Sequence, residues 1–288
     1  MLRKSKLRLF FCLTVLLWAY SYNIIASSAK DWAKAGAPNH SANGSQSIGA
    51  YTNGCLSGAA GLPLNGIGYQ VMRLSRNRYY GHPNLIQFIQ NLGQIADSQK
   101  LGSLLIGDLG QARGGPTLSG HKSHQTGLDV DIWFLLSDIA KQRLLTTEER
   151  ETWNADSMVD LNTDVINPKF WTPAHQQILK NAALQPEVER IFVNPSIKQE
   201  LCRQKTTADA WLHKIRPWWK HDDHFHVRLK CPANNPWCEK QEPLPAGDGC
   251  DASLAWWFSA DAKKPGPKVQ PPAPPQQLPE LCEQILKE

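Results

Sequence analysis

The chain has 288 residues, 41% hydrophobic residues, a formal net charge of +5 and seven cysteines. The positive excess is local, because Arg3, Lys4, Lys6 and Arg8 precede an apolar run from Leu9 to Tyr20 and small residues follow at Ala26, Ser27, Ser28 and Ala29. Residues 1–29 therefore read as a signal peptide cleaved between 26 and 29, the run being shorter than the roughly 20 apolar residues of a membrane anchor.

Cleavage takes four cations and no acid with it, lowering +5 by four to +1. That excludes the basic excess expected of a nucleic-acid binder. No other segment is apolar enough to span a membrane, and residues 30–288 can form one domain around one core. Cys12 leaves with the leader, so six cysteines remain, an even number in an exported chain, which favours three disulfides. Cys231 and Cys238 are joined by the Pro- and Asn-rich turn "CPANNPWC". The lack of any CxxC weighs against a cysteine zinc site.

In chain order, residues 30–66 are rich in Gly, Ser and Asn and predict an irregular lead-in. "GIGYQVMRLS" (66–75) alternates like a strand. "HPNLIQFIQNLGQIADSQ" (82–99) sets Leu85, Phe88, Ile89, Leu92, Ile95 and Ala96 at helical spacing. "GSLLIGDLG" (102–110) reads as a short strand entering the Gly-rich loop "ARGGPTLSG" (112–120). Helices are predicted over 146–153, over 172–184 with Thr172 as N-cap and Pro173 at the first position, over 195–203 and over 208–214. Strands are predicted over 189–194 and 224–230, and residues 263–279 read as a proline-rich strap whose end Cys282 staples back. Mixed strands and helices indicate an α+β domain.

The stretch "SGHKSHQTGLDVDIWF" (119–134) carries the chemistry. On a strand Asp129 and Asp131 share one face, with Val130 and Ile132 on the other, and the same period pairs His224 with His226 against Phe225 and Val227. Should the two strands be neighbours, His124, Asp131 and His226 converge. Two imidazoles and one carboxylate are the protein ligands of a catalytic zinc site with an open fourth position. Single histidines of this kind are more often surface or hydrogen-bonded residues; the joint spacing favours a metal.

The segments "RGGPTLSGHKSHQTGLDVDIWF" (113–134), "RIFVNPSIKQELC" (190–202) and "IRPWWKHDDHFHVRLKCP" (215–232), with the six cysteines, resemble the penicillin-insensitive murein endopeptidases. These zinc peptidases share a wider group with lysostaphin-type enzymes, D-Ala-D-Ala metallopeptidases and the hedgehog N-terminal domain, and the resemblance covers roughly residues 45–285. It implies a central antiparallel sheet carrying the zinc site, flanked by helices and long disulfide-tied loops. His124, Asp131 and His226 would bind one zinc ion, His224 would be the unliganded catalytic histidine, and His121 and His221 would support the site. The disulfides would be Cys55–Cys282, Cys202–Cys250 and Cys231–Cys238. Asp129 stands where the wider group often has a small residue.

The resemblance further implies periplasmic hydrolysis of the D-alanyl to meso-diaminopimelyl cross-link of peptidoglycan. No serine nucleophile is needed, so a serine-acylating β-lactam has nothing to attack. Rival readings are a related zinc D,D- or L,D-carboxypeptidase, an amidase, or a murein-binding module without turnover. Arg113 and Arg228 are candidates for binding a substrate carboxylate, against the alternative of structural salt bridges. Trp218, Trp219, Trp256 and Trp257 leave two uses open, lining a groove or packing the core, with the core expected for most of them.

Overall fold

A computed structural model describes residues 28–118, 122–207, 209–264 and 277–288. The signal-peptide segment up to residue 27, His121 and most of the proline-rich strap lie outside the described residues. Among the described residues no helix is long and apolar enough to cross a membrane.

The lead-in is more regular than its composition predicts. A short helix, α1 (Ala29–Lys34), precedes a hairpin of β1 (Gln46–Ala50) and β2 (Asn53–Ser57). "QSIGA" and "NGCLS" carry few large apolar residues, so no alternation marks them in the sequence. Burial against the C-terminus stabilises them, because Ile48 and Cys55 pack with Trp32, Leu278, Cys282 and Ile285.

A seven-stranded sheet forms the centre. Its strands are β3 (Asn65–Gly66), β4 (Tyr69–Val71), β5 (Leu104–Ile106), β6 (Asp129–Trp133), β7 (Val188–Val193), β8 (Ile215–Pro217) and β9 (His224–Leu229). The spatial order is β8-β7-β9-β6-β5-β4-β3. The expected antiparallel sheet is corrected here to a mixed one, since β4 runs parallel to β5 and β7 parallel to β8. Each parallel pair is joined by a helical crossover, which parallel strands require. The first crossover uses α2 (Pro83–Ser98) and the second uses α6 (Pro195–Arg203). The strands that bear the site, β6 and β9, are antiparallel as expected.

Helices are completed by α3 (Asp138–Gln142), α4 (Thr147–Thr152), α5 (Pro173–Leu184), α7 (Ala252–Trp256) and α8 (Glu280–Lys287). The apolar stripe of α2, Leu85, Phe88, Ile89 and Leu92, is fully buried and packs in one core with Val130, Ile132, Phe225 and Val227 of the sheet. Thr172 caps α5 as predicted, its backbone N–H donating to His175 Nδ1 at 2.9 Å. The predicted strand 66–75 is interrupted: after β4 the chain makes a 3₁₀ turn, Leu74–Arg76, flanked by Arg73 and Asn77 at positive φ. The segment around 210–214 is likewise a 3₁₀ helix, which buries Trp211 and Leu212.

All three disulfides join as the resemblance implies: Cys55–Cys282, Cys202–Cys250 and Cys231–Cys238. The first ties α8 to the β1–β2 hairpin, closing a sequence separation of 227 residues.

Candidate metal centre

The pleat of β6 and β9 builds the site. His226 is the register partner of Asp131, and Arg228 that of Asp129, in the antiparallel ladder. Their neighbours Val130, Ile132, Phe225 and Val227 turn to the opposite face and are fully buried. A period of two thus sends carboxylates and imidazoles one way and the hydrophobic anchor the other.

His124 comes from the long loop before β6 and is itself buried. Its backbone is in the left-handed region at φ 70°, uncommon for a residue with a Cβ and typical of strained functional positions. The loop is held by the next residue: Gln125 Nε2 donates to the carbonyls of Thr52 and Lys122 at 2.9 Å, while its Oε1 accepts from Gly54 N at 3.1 Å. Gly114, at φ 63°, lets the loop close on itself, since a Cβ there would lie 1.9 Å from the Gln125 carbonyl oxygen. The hairpin missed in the sequence is therefore the support on which His124 rests.

One ligand atom from each of His124, Asp131 and His226 lies within 4.8 Å of the others. His124 Nε2 is 3.5 Å from Asp131 Oδ2, and His226 Nδ1 is 2.9 Å from Asp131 Oδ1. A tetrahedral zinc with bonds near 2.1 Å sets its ligands about 3.4 Å apart, so the spacing fits.

Asp129, fully buried, fixes the tautomer of His226. Its Oδ1 is 2.6 Å from His226 Nε2 and accepts from Arg228 Nε at 2.6 Å. A carboxylate only accepts, so Nε2 carries the proton and Nδ1 turns a lone pair towards Asp131. Two acceptors 2.9 Å apart require a positive charge against them, which a divalent cation supplies and an added proton on His226 imitates. Burial alone would raise both carboxyls and lower His226. The opposite charges prevail: Arg228 and His226 bring Asp129 down to about 2, His124 and His224 hold Asp131 well below its ordinary value, and the two aspartates lift His226 to about 9.

His224 stands beside the cluster. Its Nδ1 is 2.5 Å from Asp223 Oδ1, its Nε2 is 3.8 Å from Asp131 Oδ1, and its side chain is 20% exposed against 1–7% for the three residues of the cluster. Burial would lower its pKa, but Asp131 and Asp223 raise it. His221, at φ 52°, packs its ring 4.9 Å from that of His224 and 5.9 Å from that of His226. Its Nδ1 donates to the Trp219 carbonyl at 2.8 Å, and burial with the neighbouring imidazoles pushes it down to about 4, so it is neutral near pH 7. Asp223, the partner of His224, directly precedes it in the chain, and adjacency is the one signal in the sequence that marks it.

Both candidate arginines bond to the protein itself, Arg228 in the structural ion pair weighed against its substrate role. Arg228 is 5% exposed, ion-paired to Asp129 and set 4.2 Å from the centroid of Tyr51 and 5.3 Å from that of Phe192, which commits its guanidinium to the scaffold. Arg113 Nη1 donates to the carbonyls of Ile285 and Leu286 at the end of α8, and Nε to that of Ala37. The tryptophans depart from the core packing expected of most of them. Trp218, Trp219 and Trp256 are 53%, 41% and 52% exposed and, with Trp257, form one surface cluster.

A family profile described as penicillin-insensitive murein endopeptidase matches residues 47–287. Curated relatives carrying the same name include one from Haemophilus influenzae, 46% identical over 268 residues covering 93% of this chain and 91% of that protein. Another, from Klebsiella pneumoniae, is 45% identical over 263 residues, covering 91% of this chain and 92% of the relative. A third, from Yersinia pestis, is 45% identical over 243 residues, covering 84% and 85%. With a match along nearly the whole domain, and a buried His-Asp-His cluster at the sheet, the chain belongs to the penicillin-insensitive murein endopeptidase family.

Proposed function

We propose that this protein is an exported zinc murein endopeptidase that hydrolyses the D-alanyl to meso-diaminopimelyl cross-link of peptidoglycan in the periplasm, residues 1–29 being its signal peptide. The observation that carries the reading is the mutual approach of His124, Asp131 and His226 within 4.8 Å, in a family whose name is that of a murein endopeptidase. Three oxidised cysteine pairs fit an exported chain.

His124 Nε2, an Asp131 oxygen and His226 Nδ1 would hold one zinc ion. Such an ion, when bound, supplies Lewis acidity towards a carbonyl oxygen and lowers the pKa of water to about 7. The chain's own residues do the rest. Asp129 and Arg228 keep the His226 ring in one tautomer and one orientation. His224, on the solvent side of the ligands and steadied by Asp223, meets the incoming peptide with Nε2 and passes a proton towards the leaving amine. His221, neutral and lodged against His224, adds no charge to compete with that transfer.

The test is incubation of the purified mature chain with cross-linked sacculi, with and without a chelator, followed by product analysis. Chelator-sensitive conversion of dimeric to monomeric muropeptides is expected. Loss of the terminal residue alone, or release of peptide from glycan, would make it a carboxypeptidase or an amidase.

A further inference from the structure

The four surface tryptophans are not consumed by the mechanism, and their position is informative. Trp218 and Trp219 follow β8, with Trp218 N donating to the Val193 carbonyl at 2.9 Å. Trp256 ends α7 and Trp257 follows it. That five-residue helix is anchored from behind, by the Cys202–Cys250 bond and by buried Lys198, whose Nζ donates to the Asp248 carbonyl at 2.6 Å. Asp251 caps it, accepting from Ser253 N at 2.9 Å. The cluster is thus fixed while Trp218, Trp219 and Trp256 stay 41–53% exposed around the half-buried Trp257, an arrangement that a monomeric surface rarely keeps without use.

The cluster is also continuous with the metal centre. Phe192 has its ring 5.5 Å from that of His226 and 5.8 Å from that of Trp218. Trp218 lies 6.1 Å from Trp257, which lies 5.0 Å from Trp219 and 5.5 Å from Trp256. The platform therefore begins one ring beyond the ligands and extends two ring contacts further.

Murein is a peptide joined to a polysaccharide, and the two parts ask for different surfaces. The peptide brings carboxylates, which need cationic partners. Pyranose rings bring apolar C–H faces, which stack on rigid, exposed indoles. A stem peptide of three or four residues, extended at about 3.5 Å per residue, spans on the order of 10–14 Å. That reach carries the chain from the scissile bond to the sugar bearing the stem, and the cluster leads away from the site in the same way, Trp257 standing three ring contacts from His226 and Trp219 and Trp256 four. Resting on the murein reading above, we propose that Trp219, Trp256 and Trp257 form a subsite for the N-acetylated glycan strand, stacking its sugars while the stem peptide enters the metal centre.

The experiment compares two substrates bearing the same cross-link: intact sacculi, and a glycan-free cross-linked peptide dimer. The variants are Trp256→Ala and Trp257→Ala, each with a Trp→Phe counterpart that keeps a flat ring. The alanine variants should lose about tenfold in rate on sacculi, retain metal content, and cleave the glycan-free dimer within about twofold of wild type. The phenylalanine variants should recover most of the loss. Peptide-free murein glycan should inhibit wild type on sacculi and not the alanine variants. Equal losses on both substrates, or no loss on sacculi, would overturn the subsite. Failure of the wild-type protein to cleave either substrate would instead overturn the endopeptidase reading.

Discussion

His226 stands directly across the β6–β9 ladder from Asp131, its Nδ1 2.9 Å from Oδ1, while its Nε2 is 2.6 Å from Asp129 on the same strand as its partner. One imidazole is therefore gripped by two carboxylates two residues apart, one orienting it and one placed to share a cation with it. A strand of period two delivers both at once, which is why aspartates occupy alternate positions.

The orienting role of Asp129 can be separated from ligation. Asp129→Asn keeps the shape but removes the charge that holds His226 Nε2–H and Arg228. Zinc affinity, measured by competition with a chromogenic chelator, should weaken about 10–100-fold without loss of the site. Unchanged affinity would mean that Asp129 serves Arg228 alone.

His224 should separate from the ligands in the opposite way. His224→Ala should retain a full complement of metal and slow turnover on the glycan-free dimer by about 10² or more. Loss of metal in this variant, with retention in His226→Ala, would reverse the assignment of the two histidines.

Much of this was legible in the sequence. Alternation in "LDVDIWF" and "HFHVRLK" placed four polar residues on one face, and only their adjacency had to come from the fold. What stayed hidden depends on contacts remote in the chain. The β1–β2 hairpin carries small residues, and its burial comes from α1 and α8. The parallel pairs follow from how α2 and α6 cross over, which no local pattern states. Which of its two uses Arg228 takes, substrate binding or a structural salt bridge, depends on Tyr51 and Phe192, which flank it from segments distant in the chain. The apolar area of the tryptophans predicts core packing for most of them, yet Trp218, Trp219 and Trp256 are exposed.

The C-terminal staple bears on the site through the hairpin. Cys282→Ser opens the long closed loop and releases α8 from β2, and should lower stability by about 3–5 kcal/mol, of order 10 °C in melting temperature. Activity should fall with it, because the hairpin carbonyl of Thr52 holds Gln125 beside His124. A melting temperature within 2 °C of wild type, a margin of roughly 1 kcal/mol, would remove the staple from the account.

Acid should act on the scaffold through His175, buried in α5. Burial lowers its pKa, outweighing its backbone bonds, and the neutral ring accepts from Thr172 N while donating from Nε2 to the Phe134 carbonyl at 2.8 Å. A depressed folded-state pKa means that the unfolded chain binds the proton more readily, so this stability is present above about pH 6.5 and is lost as pH falls through the folded value. Thermal melts of metal-free protein at pH 7.5 and 5 should show a larger acid loss for wild type than for His175→Gln. Equal losses in the two proteins would contradict it.

The most direct test of the central claim is elemental analysis of the purified chain beside His226→Ala, with muropeptide products followed in the same preparations. One zinc per wild-type chain is expected, with none in the variant and loss of dimer-to-monomer conversion in step. A variant that keeps its metal, or digests sacculi at the wild-type rate, would contradict the three-residue site.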